Sequence, residues 1–227
     1  MPRRARVVLE GSALHLIQRG NNRSACFYAE EDYLVYLEYL AEQARKHSCA
    51  VHAWCLMTNH VHLLLTPATV DGASLLMKGL GQKYVQYINR TYQRSGTLWE
   101  GRFRSCLVRE ERYVMACYRY IEMNPVRAAI VAHPSEYQWS SYKANTQAES
   151  SSLIVPHLVY QALSSSSELR ACAYRELFKD QLEGDLVDQI RSATNGNYVL
   201  GSSRFSMEVE AALKRRVTKG KAGRPKK

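Results

Sequence analysis

Residues 49–65 read CAVHAWCLMTNHVHLLL, and their pattern decides the fold. The first nine are apolar enough for a half-buried or buried strand, Thr58-Asn59 is a tight turn, and HVHLLL returns as the antiparallel partner. Side chains alternate along a strand, so Val61, Leu63 and Leu65 share one face while His60, His62 and Leu64 share the other. Helices are expected on the Val-Leu-Leu face. The two imidazoles then project side by side from an open face.

Working outward, SALHLIQR (12–19) reads as a strand and GNNR (20–23) as turn chemistry. EEDYLVYLEYLAEQARKH (30–47) repeats apolar residues at helical spacing and places acids in its first turn. Residues 72–92 are helical, FRSCLVR (103–109) is a fourth strand and residues 110–123 form another helix. The order predicts an α+β protein: a ferredoxin-like βαββαβ antiparallel sheet with helices on one face. WSSYKANTQAESSS (139–152) reads as a linker or loose loop, and residues 153–217 as three or four short helices. The expected divisions are a core domain over 1–145, a small C-terminal helical appendix over 146–213 and a disordered basic tail over 214–227.

The chain has 227 residues, 46% of them hydrophobic, which permits a packed core. Its six cysteines, at 26, 49, 55, 106, 117 and 172, form no C-x-x-C pair. They read as reduced thiols of a cytoplasmic protein. MPRRARVVLEGSA lacks the apolar core of a signal peptide, and no apolar run approaches membrane-spanning length. The net charge is +10, but residues 214–227 hold eight basic side chains and no acid, which leaves 23 basic against 21 acidic elsewhere. Such a tail sits against phosphate or merely solubilises, and Arg224-Pro225 suits a minor-groove arm.

Two imidazoles at i and i+2 on a rigid strand can ligate one divalent metal. A bare H-x-H is more often two unliganded histidines, so context has to decide. On the helix over 110–123, Val114, Tyr118 and Ile121 make an apolar stripe, flanked by Tyr113, Cys117, Tyr120 and Asn124. Tyr120 is therefore a candidate nucleophile, against the alternative of an amphipathic core tyrosine. Asn124 precedes Pro125, which disfavours helical geometry at 124 and suits a cap on a following helix.

QRGNNR (18–23), MTNHVHLLL (57–65), LWEGRFRS (98–105), YIEMNPVRA (120–128) and WSSY (139–142), in that order, resemble the HUH single-tyrosine transposases, and within them the branch associated with repetitive palindromic (REP) DNA. GKAGRPKK at the end is similar to that branch too. The resemblance implies a ferredoxin-like catalytic domain that nicks and rejoins single-stranded or hairpin DNA through a 5′-phosphotyrosine, leaving a free 3′-hydroxyl. It implies Tyr120 as nucleophile, His60 and His62 as metal ligands and Asn124 as the third ligand. Mg²⁺ or Mn²⁺ suits an oxygen-rich phosphate site, the imidazoles favour Mn²⁺, and ligand type alone also admits zinc. The protein is expected as a monomer or homodimer, near the nucleoid and away from membranes.

The expected DNA contacts are Arg19, Asn21, Asn22 and Arg23 on the first turn and Arg127 beyond the tyrosine helix. Arg102 and Arg104 beside Trp99 and Phe103 mix guanidinium with aromatic rings, as phosphate clamping and base stacking require. Lys83, with Tyr84 and Tyr87, is a weaker candidate. Three rivals stand: an RNA-recognition-like binding module, which would display aromatics where this strand displays histidines; an enzyme that nicks hairpins without moving DNA; and a metal nuclease in which water attacks.

Overall fold

A computed structural model of the protein describes residues 5–147 and 151–220. In chain order its elements are β1 (Ala13–Arg19), α1 (Glu30–Lys46), β2 (Cys49–Met57), β3 (His60–Pro67), α2 (Gly72–Thr91), β4 (Arg104–Val108), α3 (Glu111–Glu122), α4 (Asn124–Arg127), α5 (Tyr142–Thr146), α6 (Leu158–Gln161), α7 (Ser167–Glu176), α8 (Gly184–Gly196), β5 (Val199–Leu200) and α9 (Ser203–Leu213). The strands lie in the order β2-β3-β1-β4-β5. The first four pair antiparallel, as a split βαβ arrangement requires, and β5 adds parallel to β4.

The Val61, Leu63 and Leu65 side chains are buried under α1 and α2, with Leu14, Leu16, Leu40, Leu76 and Tyr84 in the same core. Removing each leucine from water contributes about 1.5–3 kcal/mol. Asp32 anchors the start of α1: its carboxylate accepts the Tyr28 and Ala29 backbone N–H groups at 2.7 and 3.0 Å and the Tyr87 and Tyr92 hydroxyls at 3.0 and 2.9 Å. That satisfies N-terminal donors of the helix that would otherwise lack partners.

The alternation in β2 is not continuous. Val51 pairs with Leu65 but Ala53 pairs with Leu64, so His52 is the extra residue of a β-bulge. The bulge moves Ala53, Cys55 and Met57 to the histidine face and leaves Trp54 and Leu56 on the leucine face. His52 is held in place by Thr66 Oγ1 at 2.8 Å and the Val155 carbonyl at 2.6 Å.

The second face of the sheet is not open, contrary to the expectation of helices on one face. Ala13, Ala53, Cys55, Leu64, Cys106 and Val108 line it, and α3 lies across them through Val114, Cys117, Tyr118 and Ile121. Small Ala and Cys side chains let the helix approach closely. The C-terminal region also packs here: Leu186, Val187, Ile190 and Ala193 of α8 share this core with β4 and α3, so it is not an appendix. Residues 139–146 are not a loose linker. Trp139 stacks on Tyr33 with centroids 4.4 Å apart, and Ser141 is fully buried. The start of the expected tail is folded: Val217 is buried, and Arg215 donates to the backbone carbonyls of Ala5 and Arg6 at 3.2 and 2.5 Å. The rest of that tail, residues 221–227, lies outside the described residues.

Candidate active site

Strand pairing sets the site. His62 lies opposite Ile17 of β1 and Cys55 of β2, and His60 lies opposite Arg19 and Met57. Ile17 also faces Arg104 of β4, so Arg19 and Arg104 flank the two histidines on one sheet face. The His60 and His62 ring centroids are 5.1 Å apart and nearly perpendicular. Tyr120 projects from α3 onto them, 5.7 Å from His62 by ring centroid, and only 6% of it is exposed. The expected pairing of the histidine strand with Tyr120 is therefore present, but under a covering helix and not on an open surface.

Each imidazole has one nitrogen engaged. His60 Nδ1 bonds Asn59 Oδ1 at 2.6 Å, and His62 Nδ1 bonds His15 Nε2 at 2.9 Å. Among the described residues neither Nε2 atom has a hydrogen-bond partner. Burial, followed by the positive charges of Arg19 and Arg127, pushes His60 down to about 4. Burial and then the neighbouring His15 and His60 push His62 well below the ordinary histidine range. Both rings are thus neutral near pH 7, the form that ligates metal.

Arg127 closes the other side. Its guanidinium carbon sits 4.1 Å from the Tyr120 ring centroid, and it donates to the Tyr120 carbonyl at 2.5 Å. Desolvation lowers the Arg127 pKa. Asn124 opens α4 instead of capping it, with Pro125 as the second residue of that turn. Its amide nitrogen is buried without a hydrogen-bond partner. Among the described residues no three His, Cys, Asp or Glu side chains cluster as a metal site.

The turn GNNR borders this site. Gly20 bridges to Trp99, Glu100 N–H donates to the Arg19 carbonyl at 2.8 Å, and Asn59 Nδ2 donates to the Arg23 carbonyl at 3.1 Å. The left-handed residues are Asn22 and Arg23, at φ 52° and 58°. Gly20 is needed for close approach: a Cβ there would lie 2.2 Å from the Ser24 carbonyl oxygen and 2.7 Å from Cys26 Sγ. Asn22 and Arg23 are exposed beside the histidine end of the sheet.

A small groove is lined by Ile17 and Arg19, the β1 partners of His62 and His60, and by Glu100, Arg102, Arg104 and Asn195. It leads to a hollow of about 270 Å³ that adds Arg6 and Asn197. Burial, and then the positive charge of Arg102, push Arg6 down to about 10.

Three expected DNA contacts fall elsewhere. Lys83 pairs with Glu42 at 2.5 Å on the α1–α2 layer, behind the sheet. Trp99 is buried in the α1–α2 core, and Phe103 is buried with Arg6 over its ring at 3.6 Å. Trp99 is closed into the core, whereas Phe103, largely buried, forms part of the wall of the 270 Å³ hollow under Arg6 and offers no exposed ring face. Their neighbours Arg102 and Arg104 are exposed.

The sequence profile described as "Transposase IS200 like" matches residues 9–124, about half of the chain. The chain belongs to the IS200-like transposase family. A Haemophilus influenzae protein assigned to the REP-associated tyrosine transposases is 25% identical over 107 residues, 43% of this chain. The chain spans 61% of that relative's length. The fold is shared with a REP-associated tyrosine transposase solved bound to a REP hairpin, at 17% identity and a TM-score of 0.56, over 70% of this chain and 93% of that one. A Deinococcus radiodurans protein assigned as a transposase, solved at 1.90 Å, aligns at 20% identity and a TM-score of 0.38 over 57% of this chain and 92% of that one.

Within this family member, sequence reading missed His15, Arg6 and Thr194. His15 could have been found: the alternation that places Leu14 and Leu16 in the leucine core puts His15 on the histidine face. It also missed Glu122, a fully buried carboxylate two residues from Tyr120. Glu122 accepts from Ser141 Oγ at 2.5 Å, Asn145 Nδ2 at 2.7 Å and the Tyr174 hydroxyl at 2.7 Å. It ties α3 to the WSSY segment and to α7. Among the described residues all six cysteines are free, five of them buried. No helix there is long and apolar enough to cross a membrane.

Proposed function

We propose that the protein is a metal-dependent enzyme that nicks and rejoins single-stranded DNA at repeat hairpins through a covalent bond to Tyr120. The observation that carries this reading is the Tyr120 ring packed 5.7 Å from His62, beside an imidazole pair whose Nε2 atoms are free. His60 Nε2 and His62 Nε2 are the groups that would hold a divalent ion, Mg²⁺ or Mn²⁺, with the Asn124 carbonyl oxygen Oδ1 as the third protein ligand the resemblance implies. Bound there, the ion would neutralise and orient a nonbridging oxygen of the scissile phosphate.

The chain's own residues do the rest. A phenol becomes a strong nucleophile only as its proton leaves, so attack is aided by positive charge nearby. Arg127 holds such charge over the Tyr120 ring. Tyr120 Oη loses its proton to solvent and bonds to phosphorus. The bond to the 3′-oxygen breaks, and that oxygen takes up a proton as a free hydroxyl. The new phosphotyrosine preserves the phosphodiester, so the reverse attack by a 3′-hydroxyl reseals DNA without a nucleotide cofactor. Arg19, Arg104, Arg102 and Arg6 along the groove provide the phosphate contacts, with Asn21, Asn22 and Arg23 at its entrance. Hairpin repeats are favoured as substrate because the shared fold belongs to a protein solved with such a hairpin.

The test is Tyr120→Phe, which deletes one oxygen and keeps the ring. It should abolish nicking of a single-stranded hairpin oligonucleotide and leave its binding nearly intact. Normal nicking by this variant would support the water-attack nuclease instead.

A further inference from the structure

A chain of hydrogen bonds runs from His62 Nδ1 through His15 to Thr194 of α8, outside the residues the family profile matches. Thr194 lies on α8, and its hydroxyl donates to the Ile190 carbonyl at 2.8 Å, the usual i−4 bond of a helical threonine. Its only proton is then spent. The same oxygen lies 2.9 Å from His15 Nδ1, so it must accept there, and His15 carries its proton on Nδ1. A neutral His15 then has a bare Nε2. That atom lies 2.9 Å from His62 Nδ1, so His62 donates. A neutral His62 protonated on Nδ1 has a lone pair on Nε2. Cys106 Sγ, 3.2 Å from the Thr194 oxygen, fits as a second donor to it. All four groups are buried, so water does not compete.

We infer that His15 and Thr194 are positioning residues that lock His62 in the Nδ1–H tautomer and so present its Nε2 as a ligand. This rests on the metal-site reading given above, and it assigns a role to the C-terminal region: Thr194 of α8 bonds His15, 179 residues away in the chain, and through it supports His62. Outer-shell hydrogen bonds of this kind orient ligating imidazoles, and losing one typically costs 10–100-fold in metal affinity.

The experiment uses the full chain. Long-range ¹H–¹⁵N correlation of the imidazoles, in metal-free protein near pH 7.5, reads the His62 tautomer. Mn²⁺ titration, followed by the electron paramagnetic resonance of the free ion, reads affinity. Wild type should show His62 protonated on Nδ1. His15→Leu removes the acceptor, and Thr194→Val removes the oxygen while keeping the shape. Both should mix the His62 tautomers and weaken Mn²⁺ binding by about 10–100-fold. His15→Gln, whose carbonyl can accept from His62 Nδ1–H, should restore most of both readouts, which a purely structural role would not predict. Thermal melts check that each variant is folded; a His15→Leu protein that unfolds leaves Thr194→Val and His15→Gln to decide. The inference is overturned if wild-type His62 carries its proton on Nε2, or if the folded variants keep both tautomer and affinity. Failure of wild type to bind Mn²⁺ would defeat the metal reading, while the tautomer spectra would still judge the hydrogen-bond chain.

Discussion

Glu122→Gln should make the protein more stable at alkaline pH than it is with its natural carboxylate. Glu122 is fully buried among three neutral donors, Ser141, Asn145 and Tyr174, with no cation among its hydrogen-bond partners. Burial raises its pKa from 4.5 to about 7, and the three hydrogen bonds oppose that rise without cancelling it. A group whose pKa is raised on folding stabilises fully below its unfolded value and loses that contribution as pH rises through the folded one. Here the loss runs from pH 4.5 to about 7. At 1.36 kcal/mol for each pKa unit, the carboxylate costs about 3 kcal/mol of stability at pH 8 relative to its protonated form. Glutamine cannot ionise. Its carbonyl can keep the Ser141 and Asn145 donors, and its amide can donate to the Tyr174 oxygen. His52 acts in the opposite sense, because burial pushes it down to about 4 and stability is lost as pH falls from 6.5 through that value. It is present in both proteins and cancels in their difference. The assay is urea unfolding of both proteins at intervals from pH 4.5 to 8. The variant should gain about 3 kcal/mol on wild type across that range. A flat difference curve would refute the reasoning and mean that Glu122 ionises freely within its hydrogen-bond cage.

Gly20→Ala should destabilise by about 1–3 kcal/mol, measured by chemical denaturation, since the new methyl collides with the Ser24 carbonyl and not with a flexible side chain. Arg127→Gln should slow cleavage about two- to thirtyfold, from a charge–ring interaction of about 0.5–2 kcal/mol, with hairpin affinity changed less; equal losses in both would make Arg127 a simple DNA contact. Deleting residues 221–227, with four basic side chains, should flatten the slope of log affinity against log salt by up to about 3 and spare stability, whereas deletion from Lys214 should also lower Tm because it removes Val217 and Arg215 from their packing.

What the sequence made legible follows local periodicity. The β2–β3 hairpin, its Thr58-Asn59 turn and the limits of α1, α2 and α3 are set by alternation, helical spacing and end charges within each segment. That His60, His62 and Tyr120 share one sheet face and the helix above it was legible for the same reason, because strand and helix phase aim them without reference to distant residues. The bulge at His52 was hidden, since its partners Thr66 and Val155 lie elsewhere in the chain. The covering of the histidine face was hidden too: β3 contributes only Leu64 to that core, and the rest comes from β1, β2, β4 and helices up to α8. Trp99 and Phe103 show the limit of composition. Aromatic rings beside arginines suit base stacking, yet both rings turn into the core while Arg102 and Arg104 stay outside. His15 and Thr194 needed the register of β1 and the docking of α8 together.

The most direct measurement of the central claim is the site of covalent attachment. The protein is incubated with a single-stranded hairpin oligonucleotide and Mn²⁺, denatured and digested, and the DNA-linked peptide is sequenced by mass spectrometry. The account predicts an adduct joining a 5′-phosphate to Tyr120, absent when the metal is chelated and absent from His60→Ala and His62→Ala variants that remain folded. Cleaved DNA with a free 5′-phosphate and no adduct, or an adduct on any other residue, would contradict it.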